Sequence, residues 1–105
     1  MAVQRTVKDE MTEARAAFRS GEIGRARTCA RRAVGMALRI KYGSGNYADT
    51  FINALRRMAL DESFSTDVRA AAKRLSGRSR EDRTSPSRDP VNDASIILKH
   101  LQVTS

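Results

Sequence analysis

Few residues in this chain have side chains suited to catalysis. It has one histidine, one cysteine and no tryptophan. Hydrolysis or phosphoryl transfer needs a general acid or base, or a metal. His100 stands near the end of the last predicted helix. It could act only with an arginine such as Arg88 or Arg83, brought to it across the fold or from a dimer mate. The plainer reading is a partly exposed imidazole at a helix C-terminus, where positive charge is favoured. Cys29 falls among alanines and Met36 on an apolar arc, which reads as a buried thiol and not as a nucleophile. Asp9 and Glu13 lie one helical turn apart, a spacing that suits a cation. With Glu10 they interleave with Lys8 and Arg15, as on a solvated face. Glu81-Asp82 sits between Arg80 and Arg83, so local neutralisation accounts for it. Gly43-Ser44-Gly45-Asn46 could form a backbone anion nest but lacks the lysine of a phosphate loop, and it reads as a turn. The sequence therefore predicts no catalytic residue, no cofactor and no metal site.

Arginine is the more informative residue. The 20 Lys+Arg outnumber the 12 Asp+Glu and give a formal charge of +8, and most of the excess lies before residue 80. Arg25, Arg31, Arg32 and Arg39 share the polar arc of the second predicted helix, with Arg27 at its margin. Arg56 and Arg57 end the third helix, and Arg69, Lys73 and Arg74 ride the fourth. Converging guanidinium groups would track phosphates. Aromatic residues are 5% of the chain, so base stacking is a poor expectation. RNA binding of this kind would be electrostatic and sequence-blind. The alternative for each arginine is solubility or an ion pair with a neighbouring carboxylate.

Helical periodicity places these residues. Val3, Val7, Met11, Ala14 and Phe18 recur at steps of four and three, which predicts a first helix from about Ala2 to Arg19, closed by Ser20-Gly21. A second helix, about Glu22 to Tyr42, carries Ile23, Ala26, Cys29, Ala30, Ala33, Val34, Met36, Ala37, Leu38 and Ile40 over a wide arc, as expected of a central helix. Gly35 inside it costs up to ~1 kcal/mol relative to Ala. Close approach of another helix, or of a dimer mate, along Gly24, Thr28 and Gly35 would offset that cost. The third helix covers about Tyr47 to Leu60. The fourth, capped by Ser65 or Thr66, runs to about Leu75 with a stripe of Val68, Ala71, Ala72 and Leu75. The fifth opens on Asp89-Pro90 and buries Val91, Ala94, Ile97, Leu98 and Leu101. SGRSREDRTSPSR, residues 76–88, holds no large apolar side chain and reads as a flexible polar connector. The expected architecture is an all-α, antiparallel bundle of four to five helices, up-and-down in order.

ARAAFRSGEIGRARTCARRAVGMAL, from Ala14 to Leu38, and DPVNDASIILKHL, from Asp89 to Leu101, together resemble the minimal HEPN helical domains of prokaryotes. In that family a long Ala-rich second helix packs on a last helix opened by a polar-Pro or Asp-rich turn. The resemblance implies a helical bundle, often a homodimer. It also implies either RNA cleavage or a non-catalytic role beside a nucleotidyltransferase-type partner. The family's ribonuclease motif is an Arg followed after four to six residues by a His near the start of the last helix. Here the four residues after Arg88 lead to Asp93, so the motif is absent and no catalytic residue carries over. A second likeness is to a tetratricopeptide hairpin, through Gly21, Ala26, Ala30 and Ala33, but one hairpin is not an array.

At 105 residues the chain reads as one domain spanning 1–105. Its apolar runs are too short to span a membrane, and MAVQRTVKDEM holds no apolar signal core. One cysteine makes no internal disulfide, so the expected compartment is the cytoplasm. The function these readings predict is a non-enzymatic binding or assembly module, homodimeric through the second and fifth helices. The alternatives are polyanion binding through the arginine surface, or a ribonuclease with a displaced site around His100.

Overall fold

A computed structural model describes residues 5–43, 50–77 and 87–103. The first helix, α1 (Val7–Arg19), begins later than the apolar spacing predicts. The cause is a reciprocal cap. Thr6 accepts from the Asp9 amide at 3.1 Å, and the Asp9 carboxylate accepts from the Thr6 amide at 2.9 Å. That arrangement satisfies two donors that a helix start otherwise leaves open. The expected turn at Ala2–Gln4 lies outside the described residues. Gly21 adopts φ +80° and reverses the chain into α2 (Ile23–Tyr42).

The remaining helices are α3 (Phe51–Leu60), α4 (Thr66–Ser76) and α5 (Pro90–Leu101). Each has a side-chain N-cap. Thr50 accepts from the Asn53 amide, Ser65 from the Val68 amide and Asp89 from the Asn92 amide. The predicted start of the third helix at Tyr47, like Ser44–Asn46 of the expected loop, falls outside the described residues. So do residues 78–86 of the polar connector. Its described ends are held: Ser76 and Ser87 are buried, and the Ser87 carbonyl accepts from Arg27 Nε at 2.7 Å.

The described residues thus form an all-α globule of five helices with no strand. Helix α2 is central and packs against α1, α3 and α5, while α4 lies on α3 and α5. Its alanines at 26, 30, 33 and 37 are fully buried and let neighbouring backbones approach. Met11, Val34, Leu38, Leu55, Met58, Leu75, Ile97, Leu98 and Leu101 fill the core between the helices. No helix among the described residues is long and apolar enough to cross a membrane.

Three side chains depart from the sequence reading. Glu10, assigned to a solvated face, is 2% exposed because the α1–α2 hairpin closes over it. Ile40, assigned to the apolar arc, is 71% exposed near the end of α2. Phe18, assigned to the apolar face of the first helix, is 36% exposed. Phe64, between α3 and α4, is buried. Its ring stands edge-on to Tyr42, with centroids 6.4 Å apart, and to His100 at 5.5 Å.

Candidate binding cleft

Residues 28, 31, 32 and 35 of α2 fall at helical spacing on one face. The first turn of α3 comes against this face. Gly35 makes the approach possible: a Cβ at this position would lie 1.9 Å from Phe51 Cδ1. Between the two helices opens a cleft of about 580 Å³, lined by Thr28, Arg31, Arg32, Thr50, Phe51, Ile52 and Asn53. Phe51 and Ile52 are half-buried and supply its apolar surface. Thr28, Thr50 and Arg32 are exposed. Thr28 Oγ1 donates to the Gly24 carbonyl at 3.1 Å.

The arginines singled out by sequence have separate tasks. Arg31 donates from Nε to the Leu75 carbonyl at 2.7 Å and from Nη2 to the Gly77 carbonyl at 3.0 Å. A cation there meets the carbonyls and the negative dipole end of α4. Arg39 lies with Cζ 4.8 Å from the Phe51 ring centroid, a cation–π contact at the α2–α3 junction. Arg25 pairs with Glu13 of α1. The cleft therefore gathers Thr28, Arg31 and Arg32, with Gly35 and Arg39 holding Phe51 beside them. Gly24 and Arg25 do not line it, and a Cβ added at Gly24 would meet nothing within 4 Å, so the close approach expected at Gly24 is absent and α3 comes in at Gly35 instead. The α3 half of the cleft, Thr50 to Asn53, was not singled out from sequence. The signal was present: a threonine opening an apolar run, with its partner three residues on.

A second cluster ties α4 to α5. The Asp93 carboxylate is nearly buried. It accepts from Arg74 Nε at 3.0 Å and Nη2 at 2.8 Å, and from Ser87 Oγ at 2.5 Å. The Asp93 carboxylate holds the Arg74 guanidinium above its ordinary value. Asp93 is the residue at which the ribonuclease spacing fails, and its place in the fold is structural.

A third cluster lies between α1 and α2. Glu10 Oε1 accepts from Arg5 Nε at 2.6 Å, and Glu13 accepts from Arg5 Nη2 at 2.5 Å and from Arg25. The hydrogen bond from Arg25 holds Glu13 below the ordinary carboxylate range, against a weaker effect of burial. Cys29 is 3% exposed. Burial, then the Glu13 and Glu10 charges, push its thiol up, while Arg32 draws it down. A carboxylate oxygen of each glutamate and Cys29 Sγ lie within 4.8 Å of one another.

His100 is exposed in the last turn of α5. Arg88 precedes the N-cap, roughly 15 Å away along the helix axis. Arg83 lies outside the described residues.

No protein-family model, no curated protein and no solved structure matches the chain. Its class rests on its own architecture: a small all-α domain of five described helices.

Proposed function

We propose that this chain is a non-enzymatic binding module that holds a segment of a partner protein in the α2–α3 cleft. The cleft carries the reading. Its apolar part is Phe51 and Ile52, its charged edge is Arg31 and Arg32, and Thr28, Thr50 and Asn53 supply polar groups. Such a lining suits a chain with alternating apolar and acidic side chains. The +8 charge opposes seating a second copy of the same basic surface there. The non-enzymatic part rests on His100, whose ring packs on Phe64 at the far end of α5 from Arg88, and on the burial of Cys29.

The HEPN likeness belongs to this reading as a fold proposal. The packing of the Ala-rich α2 on α5, which opens at Asp89-Pro90, supports it. Homodimerisation and non-specific RNA binding are the competing partners.

One titration separates the three. The ¹⁵N-labelled chain is mixed in turn with a short Glu/Leu-alternating peptide and a single-stranded RNA, and its own mass is followed by light scattering. The expected result is a monomer whose amides at 28–32 and 50–53 shift with the peptide, an effect lost in Arg32→Glu. Shifts with RNA alone, falling steeply with salt, would transfer the function to a polyanion. A dimer that is insensitive to both probes would transfer it to self-assembly.

A further inference from the structure

We propose that Glu10, Glu13 and Cys29 form a site for a divalent transition-metal cation of the zinc class, clamped between α1 and α2. Glu10 and Glu13 are one turn apart on α1, and Cys29 faces them from α2. Their ligand atoms lie within 4.8 Å of one another. An ion with bonds of ~2.0–2.3 Å draws tetrahedral ligands to about 3.3–3.8 Å apart, a contraction that side-chain rotation supplies.

A separate observation points to a ligand. The Glu10 side chain is 3% exposed. Arg5 takes its Oε1, but Oε2 is buried without a hydrogen-bond partner. A buried carboxylate oxygen without a donor is costly, and native folds rarely leave one so. A cation held with Glu13 and Cys29 satisfies it. The donor set selects the metal: a thiolate beside two carboxylates suits zinc-class ions, whereas magnesium and calcium take oxygen alone. Water completes the coordination on the half-exposed side of Glu13.

The guanidinium groups around the site are displaceable. The Arg25 side chain is 56% exposed and that of Arg5 50% exposed, so both can release Glu13 to solvent-separated contact. Binding converts the Cys29 thiol to a metal-bound thiolate and releases one proton to solvent. Arg5, Arg25 and Arg32 are the cations near the pair of carboxylates and the thiol.

Cobalt(II) is the probe, added to the full chain and read by absorption. A near-ultraviolet thiolate-to-cobalt band with visible tetrahedral bands is expected, at one ion per chain and displaced by zinc. Cys29→Ser should abolish the near-ultraviolet band and Glu10→Gln should weaken binding, while Glu62→Gln, on the exposed α3–α4 turn, should change nothing. Zinc should also slow the reaction of Cys29 with a thiol reagent in the unmutated chain, a reading independent of whether the variants fold. Absence of the band at millimolar cobalt, a band that persists in Cys29→Ser, or unchanged thiol reactivity with zinc would each overturn the site.

Discussion

Replacing Gly35 with alanine sets two effects of opposite sign against each other. Alanine in a helix interior is favoured over glycine by about 1 kcal/mol. The added Cβ, however, would sit 1.9 Å from Phe51 Cδ1 and 2.7 Å from its Cγ, far inside van der Waals contact. Those atoms belong to the root of a ring in the first turn of α3, and moving it also breaks the Arg39 contact. Overpacking of this kind costs about 1–3 kcal/mol. An overlap this deep, on the root of the ring, puts the cost in the upper half of that range, so Gly35→Ala should destabilise by about 1–2 kcal/mol net, lowering the melting temperature by roughly 4–8 °C for each kcal/mol in a chain of this size. In a Phe51→Ala background the clash is gone. The same substitution should then stabilise by up to about 1 kcal/mol. Thermal melts of the four proteins of this double-mutant cycle, followed by circular dichroism, give the coupling. Equal effects of Gly35→Ala in both backgrounds, or stabilisation in the unmutated chain, would refute the account of the α2–α3 junction.

Three further outcomes are expected. Asp93→Ala strips Arg74 and the buried Ser87 hydroxyl of their acceptor, and with Arg74 half-exposed the cost should be about 2–3 kcal/mol, visible in urea melts; a change below the error of the melt would exclude a structural role. Arg31→Ala uncovers the Leu75 and Gly77 carbonyls and should cost about 1–2 kcal/mol, with faster amide exchange in the last turn of α4; unaltered exchange there would count against this anchor. Asp9, through its hydrogen bonds with the Thr6 amide and hydroxyl, and Glu13, through Arg25, are held below ordinary carboxylate values. The stability they add is complete above the unfolded carboxylate range and is lost as pH falls through their lower folded values. The melting temperature should drop through that acid range, and less so in Thr6→Ala, which removes the hydroxyl bond to Asp9.

Element types were legible because they depend on local signals. Asp89 before Pro90, Ser65 before an acidic first turn and a glycine after Ser20 mark helix ends by backbone chemistry that neighbours in sequence complete. The start of α1 was misjudged because Val3 continues the apolar spacing, while the Thr6–Asp9 cap ends the helix inside it. The cleft was half legible. Thr28, Arg31 and Arg32 share a visible helical face, but Phe51 and Ile52 join them only when α3 crosses at Gly35.

What the sequence determined by itself is the all-α class, the central place of the Ala-rich helix and the excess of positive charge, since all three follow from residue type and period. The partner of each charge was decided only in three dimensions. Arg31 reaches carbonyls more than 40 residues away, Arg74 meets Asp93 19 residues on, and Glu10 passes from a solvated face into the α1–α2 seam. Periodicity gives the direction of a side chain around its own helix, but the helix that will lie against it depends on how the whole core packs.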